Sequence, residues 1–332
     1  MNMQQGTVLI VPGSFGSALA VNGKSVWWNP IALLEGAFEQ LTLPPPPGVQ
    51  VVAQGMLDGY FTLMESALKS EGYNVITFPY DFRINIDAIA PLFQSLIFSS
   101  APPVYILTHS LGATVARRAL QFLATQMGPD EVLARVKSLA MLGPANAGTL
   151  AAALAIGGAV NELPHLKLLP MVPAYVQTVL SSWPALYQTL PYDPNIIPSL
   201  NNADCNIRNA GFWAAPIDAN LLYKFIPPDM PSWLAKIDTD FLTPKITIIL
   251  GDAPETAGGV YYQHGRMLVD PQYNLPGDGY VPRASSLLRS RPATYLASGV
   301  DHLKLPIAAG VIQAVVNIFN GRTPTSLTLY RQ

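Results

Sequence analysis

Six short runs built almost wholly from aliphatic and β-branched residues recur along this chain. They are Thr7-Val8-Leu9-Ile10-Val11, Asn74-Val75-Ile76-Thr77-Phe78, Val104-Tyr105-Ile106-Leu107, Val136 to Leu142, Ile246 to Leu250 and Thr294 to Ala297. A strand with one wet face alternates apolar and polar residues, and these runs do not. They read as strands buried on both faces, which is the situation in a parallel sheet covered by helices. Segments with helical spacing lie between them: residues 59–70, with Tyr60, Leu63, Met64, Ala67 and Leu68 on one stripe, then 85–98 and 111–127. The alternation predicts an α/β domain with a mostly parallel, doubly wound sheet.

One interval breaks the rhythm. About a hundred residues separate the run ending at Leu142 from the one starting at Ile246, with no strand pattern among them. A structureless loop of that length is improbable, so residues 147–243 are expected to form a helical insertion in a core made of 1–146 and 244–332. Its apolar residues, among them Leu166, Leu168, Leu169, Met171, Val172, Trp183, Leu186, Phe212, Trp213 and Trp233, suit a cap or the insertion's own small core.

Only 12% of the residues are charged, where an ordinary soluble domain has about 25%. The uncharged stretch from Ser138 to Asn161 reaches the ~20 residues of a membrane span, but Gly143-Pro144 breaks it and the remainder is too short. The first residues carry no basic segment ahead of an apolar one, so neither a signal peptide nor a transmembrane segment is expected, which leaves a cytoplasmic location as the default. A net charge of -2 and the lack of clustered Lys and Arg argue against nucleic-acid binding. With four His, one Cys and no His-Glu-x-x-His pattern, no metal or organic cofactor is expected. Cys205 has no partner for a disulfide within the chain.

The chemistry begins after the third run, where Thr108-His109-Ser110-Leu111-Gly112 joins a strand to a helix through a sharp turn. A Ser at such a turn is held proud of the sheet in a strained backbone, which demands small residues two positions away on each side. Gly112 meets the demand and Thr108 meets it less well. The Leu111 N–H, at a helix N-terminus where donors lack partners, points where an oxyanion would form.

A nucleophilic Ser needs a base, and the base needs an acid to orient it. His109 adjoins Ser110 and reads as structural, while His165 falls in the insertion and His264 after the fifth run. His302 follows the last strand, as a catalytic base would in such a sheet. For the acid, Asp252 and Asp278 both give the order Ser, Asp, His, and order does not choose between them.

Four elements in sequence carry a family resemblance: Val11-Pro12-Gly13-Ser14-Phe15-Gly16-Ser17, Pro79-Tyr80-Asp81-Phe82-Arg83, His109-Ser110-Leu111-Gly112 and Gly277-Asp278-Gly279-Tyr280-Val281-Pro282. In this the chain resembles the lecithin:cholesterol acyltransferase-like proteins, which include lysosomal phospholipase A2. The likeness runs from about Thr7 to His302 and has no motif in the insertion. Thr108 at the turn, where the usual pattern has Gly, and Tyr280, where the family usually carries Thr, depart from it.

The resemblance implies an α/β-hydrolase fold with a helical cap, with Ser110 as nucleophile, Asp278 as acid and His302 as base. It implies an oxyanion hole from the N–H groups of Ser14 and Leu111, and leaves Asp252 a structural role. Asp81 and Arg83 are expected to pair. Phe15, Trp27, Trp28, Trp183, Phe212 and Trp213 are the candidate substrate contacts, with Trp27 and Trp28 suited to peripheral contact with a lipid surface. The expected activity is hydrolysis of a carboxylic ester of an apolar or lipid-like substrate through an acyl-Ser110 intermediate. Acyl transfer to an alcohol uses the same residues, and a non-catalytic lipid-binding protein is the reading from a different class.

Overall fold

In the computed structural model the first strand, β1 (Thr7–Val11), is entirely buried. Residues 5–29, 31–32, 35–162, 174–202, 205–214, 217–228, 230–253 and 255–331 are described. His165 and the five apolar residues expected between Leu166 and Val172 lie outside them. After β1 come β2 (Ser17–Val21), β3 (Lys24–Trp27) and β4 (Val51–Met56), then helix α1 (Thr62–Ser70), β5 (Asn74–Thr77) and α2 (Ile86–Ser99). The chain continues through β6 (Val104–His109), α3 (Leu111–Met127), α4 (Pro129–Arg135) and β7 (Val136–Leu142).

Between β7 and the next strand the described residues form helices α5 (Leu150–Ile156), α6 (Ala174–Leu180), α7 (Pro184–Gln188) and α8 (Ala219–Phe225), joined by short 3-10 turns. The chain then re-enters the sheet as β8 (Ile246–Leu250), makes the hairpin β9 (Val260–Gln263) and β10 (Arg266–Val269), and passes through α9 (Arg283–Ser286) to β11 (Ala293–Leu296). It ends with α10 (Ala309–Phe319) and β12 (Thr328–Leu329).

Seven strands form the central sheet in the order β12-β11-β8-β7-β6-β1-β5. Every pairing is parallel except that of β12 with β11. The apolar runs are continuous because each strand feeds two cores. In β1, Leu9 and Val11 belong to one hydrophobic cluster and Val8 and Ile10 to the other, and β6 divides in the same way between Ile106 and Tyr105. Helices α2 and α3 cover the first face through Ile89, Phe93, Ala116 and Leu120; α1 and α10 cover the second through Met64, Leu68, Val311 and Val315. This is the doubly wound arrangement expected from the alternation. A separate antiparallel sheet, β3-β2-β4, was not legible in the same pattern.

The segment between β7 and β8 does not stand apart from this core. Leu150, Leu154, Trp183, Tyr187, Leu222 and Phe225 belong to the same cluster as the α2 and α3 side chains. A buried cation ties the two ends of the segment to α3. Arg117 donates from Nε to Thr239 Oγ1 at 3.0 Å, from Nη1 to Asn146 Oδ1 at 3.0 Å and from Nη2 to the Ile237 carbonyl at 2.8 Å. Burial pushes its pKa down to about 10.

Candidate active site

Strand β6 delivers Ser110 at its carboxyl end, with φ 52° and ψ -125°. That is a region a side-chain-bearing residue occupies only under constraint. The constraint is visible on both sides. The Ser110 N–H donates to the Leu142 carbonyl at 2.9 Å, and the Ala113 N–H donates back to the Ser110 carbonyl at 3.0 Å. Helix α3 can begin there only because Gly112 lacks a Cβ, which would collide with the carbonyls of Val11 and Pro12.

His302 lies in a short 3-10 turn after β11 and is buried, as is Asp278. The imidazole Nδ1–H donates to Asp278 Oδ2 at 2.7 Å. The other carboxylate oxygen accepts the N–H groups of Tyr280 at 3.0 Å and Val281 at 2.7 Å, so the carboxylate cannot turn away. Holding Nδ1 as a donor leaves Nε2 as the lone-pair nitrogen, the state a general base requires. Gly143, after β7, makes room for this pair: a Cβ there would stand 2.8 Å from Asp278 Oδ2 and 3.0 Å from His302 Nδ1. No hydrogen bond joins Ser110 Oγ to His302 among the described residues; such bonds are often loose before substrate binds.

The two candidate acids separate here. Asp252 is half-buried, and its Oδ1 accepts from Arg283 Nη2 at 3.0 Å in an ion pair; its Oδ2 accepts the Gly299 N–H at 3.3 Å. It ties loops together, and among the described residues no hydrogen bond or ion pair joins it to His302. Asp81 and Arg83 are paired by two hydrogen bonds, Nε to Oδ1 at 2.8 Å and Nη2 to Oδ2 at 2.7 Å, while Arg83 Nη1 reaches the Leu41 carbonyl.

Ser14 and Phe15 follow β1, the strand paired directly with β6, and so lie beside Ser110. Gly13 approaches Ser110 so closely that a Cβ on it would lie 2.8 Å from the Ser110 Cβ. Among the described residues neither the Ser14 N–H nor the Leu111 N–H donates to a protein acceptor. Phe15 has φ 65° and accepts the Trp27 indole N–H on its carbonyl at 2.8 Å.

The aromatic candidates do not share one environment. Phe15, Trp27, Phe82 and Trp183 form a cluster with ring centroids 5.0 to 6.2 Å apart. Trp28 packs edge-on against Trp27 and is 47% exposed. Trp183 departs from the expected open substrate wall: it is 1% exposed and its indole donates to the Leu41 carbonyl at 2.8 Å. Trp213 is also buried, with its indole donating to the Ile207 carbonyl at 3.0 Å, and Phe212 packs edge-on against Tyr262. An indole whose N–H is satisfied inside the protein is packed as core.

Sequence reasoning passed over three contributors. Gly143 and Gly13 clear space for the site, and Tyr60 hydrogen-bonds His109 Nδ1. The Gly-Ser motif after β1 contained a signal for Gly13. Tyr60 gave none beyond its place on a helical stripe. His264 sits exposed in the β9-β10 hairpin, far in chemistry from any acid pair.

The strand-turn-helix at Ser110 and the parallel sheet beneath it are those of the α/β-hydrolase fold. No protein-family model and no curated protein matches the sequence. Among solved structures, the Tle4-Tli4 complex contains a chain similar in fold, with a TM-score of 0.58 at 12% identity, covering 95% of this chain and 98% of that one. Lipase BlEst2 of Bacillus licheniformis in its mature form gives a TM-score of 0.43 at 10% identity, covering 91% of this chain and 86% of that one. Phospholipase PlaB from Legionella pneumophila gives 0.45 at 11% identity, covering 96% of this chain and 60% of that one. The likeness is one of fold. Among the described residues no helix is long and apolar enough to cross a membrane, and no group of three or more His, Cys, Asp or Glu could hold a metal ion.

Proposed function

We propose that this protein is a serine hydrolase that cleaves carboxylic esters of apolar or lipid-like substrates through an acyl-Ser110 intermediate. The observation that carries the reading is the 2.7 Å contact between His302 Nδ1 and Asp278 Oδ2, both buried at the sheet edge where Ser110 emerges. In this reading Ser110 Oγ attacks the ester carbonyl while His302 Nε2 takes its proton. Asp278 stabilises the imidazolium and the N–H groups of Ser14 and Leu111 receive the oxyanion. His302 then gives its proton to the departing alcohol, and water deacylates Ser110 by the same steps in reverse.

Two further features support the finer reading. The Tyr80 hydroxyl, which donates to the Pro12 carbonyl at 2.8 Å, braces the loop after β1, and the paired Asp81 and Arg83 reach the Leu41 carbonyl, in keeping with a lecithin:cholesterol acyltransferase-like relative. The half-buried Phe15 and Trp27 beside the candidate oxyanion loop, with exposed Trp28, favour an apolar acyl group and contact with a lipid surface. Residues 147–243 serve as the cap in this proposal. Their entry is tied to the acid loop, where the Thr149 hydroxyl donates to the Tyr280 carbonyl and the Ser285 hydroxyl donates to the Gly148 carbonyl.

The test is fluorophosphonate labelling followed by a p-nitrophenyl ester series. Labelling of the wild type and not of Ser110→Ala, with kcat/KM rising from acetate to medium-chain esters at up to ~0.8 kcal/mol per buried CH₂, is expected. Absence of labelling overturns the nucleophile. A flat series overturns the apolar substrate.

A further inference from the structure

His302 is held by a group outside the proposed triad. His109 Nε2 lies 2.9 Å from the His302 carbonyl oxygen. A carbonyl only accepts, so Nε2 carries the proton and Nδ1 is the acceptor. Tyr60 meets that need, its hydroxyl donating to His109 Nδ1. One polar chain therefore runs from Tyr60 through His109 to the backbone of His302.

We propose that His109, fixed as its Nε2–H tautomer by Tyr60, is a positioning residue that sets the height and tilt of the His302 imidazole relative to Ser110. The inference rests on the reading of Ser110, Asp278 and His302 as a hydrolytic triad. The His302 turn has a donor at one end, the His302 N–H to the Asp278 carbonyl at 2.9 Å, and an acceptor at the other, the carbonyl that His109 holds. The His302 carbonyl also accepts the Leu305 N–H at 3.4 Å within the turn, so His109 is the contact that ties this carbonyl to the Ser110 strand, and losing it lets the ring height and tilt relax. His109 and His302 also touch through their rings, with centroids 4.5 Å apart, and Tyr280 stacks on His302 at 5.2 Å and 28°. When His302 becomes an imidazolium, a second cation at 4.5 Å would oppose it. Burial holds the His109 pKa well below its ordinary value and so keeps that ring neutral. The groups facing His302 are Asp278, His109 and Tyr280, with Tyr60 facing His109.

Three variants, each compared with wild type by fluorophosphonate labelling and by p-nitrophenyl acetate kinetics, test this. His109→Leu removes the donor and should lower kcat by about 10²-fold with KM little changed, the cost of ~1 Å of misplacement. His109→Gln restores an N–H near the Nε2 position and should recover most of that loss. Tyr60→Phe keeps the ring volume and frees Nδ1; it should lower kcat by roughly tenfold. In ¹⁵N-histidine NMR the wild type should show one buried imidazole as the neutral Nε2–H tautomer, and Tyr60→Phe should perturb it. Equal losses in His109→Leu and His109→Gln, or an unchanged kcat in folded Tyr60→Phe, overturn the proposal while wild-type labelling keeps the triad intact. If His109→Leu does not fold, Tyr60→Phe and the tautomer spectrum decide. Failure of the wild type to label would instead remove the triad on which the inference rests.

Discussion

Asp278 and His302 are joined twice, side chain to side chain at 2.7 Å and, through the His302 N–H and the Asp278 carbonyl, backbone to backbone at 2.9 Å. The second bond fixes where the His302 chain passes, and the first fixes which way its ring faces. Asp278→Asn should therefore lose about 10⁴ in kcat, because the amide reverses the donor and acceptor pattern and selects the wrong imidazole tautomer. Asp252→Asn, whose partners are Arg283 and the Gly299 N–H, should stay within a few-fold of wild type. Steady-state kinetics on the two variants read the difference, and the reverse ranking would move the acid to Asp252.

Gly143→Ala should damage activity out of proportion to stability. Its φ of 50° disfavours any side chain, and the added Cβ would press at 2.8 Å on Asp278 Oδ2 and 3.0 Å on His302 Nδ1. A displacement of that pair by a few tenths of an ångström to ~1 Å predicts up to a 10²-fold loss in kcat. Kinetics beside a thermal melt separate the two effects, and a variant that loses Tm with unchanged kcat contradicts the crowding.

Acid should destabilise the fold through His109. Its folded-state pKa lies well below the ordinary value near 6.5, so below about pH 6.5 the unfolded chain takes up a proton that the native protein does not. This contribution is fully present above pH 6.5 and is lost as pH falls toward the folded pKa, at up to about 1.4 kcal/mol per pH unit. Chemical denaturation at a series of pH values should show a shallower acid slope in His109→Gln than in wild type. Parallel slopes would show that His109 is not buried neutral.

Arg117→Met should loosen the segment between β7 and β8 at both ends. The change strands Asn146 Oδ1, Thr239 Oγ1 and the Ile237 carbonyl, and at about 1–3 kcal/mol for each buried group left unpaired the cost is about 3–9 kcal/mol. Limited proteolysis with mass spectrometry should find faster cleavage within 147–243 in the variant. Equal cleavage and equal Tm would mean the segment is held by its apolar contacts alone.

Much of the sheet was legible because its signal is local. The runs at Thr7–Val11, Val136–Leu142 and Ile246–Leu250 coincide with strands, and the helix after Ser110 spans Leu111–Met127 as its spacing predicted. Each of those segments states its own burial through side-chain periodicity. The antiparallel strands Ser17–Val21, Lys24–Trp27 and Val51–Met56 escaped because they are short, carry polar residues or glycine, and lie on a small sheet with exposed positions.

The sequence by itself determined the class of sheet and the strained turn at Ser110, since these follow from periodicity and from the steric needs of a few adjacent residues. Chain order left Asp252 and Asp278 equal, and an apolar residue such as Trp183 looks the same whether it faces a substrate or a core. The family resemblance favoured Asp278, and only the tertiary structure showed which partner each of these side chains has. It gave Asp252 to Arg283, Asp278 to His302, the Trp183 indole to the Leu41 carbonyl and His109 to Tyr60. A hydrogen-bond partner is chosen by distance and direction in space, and those are set by the packing of segments far apart in the chain.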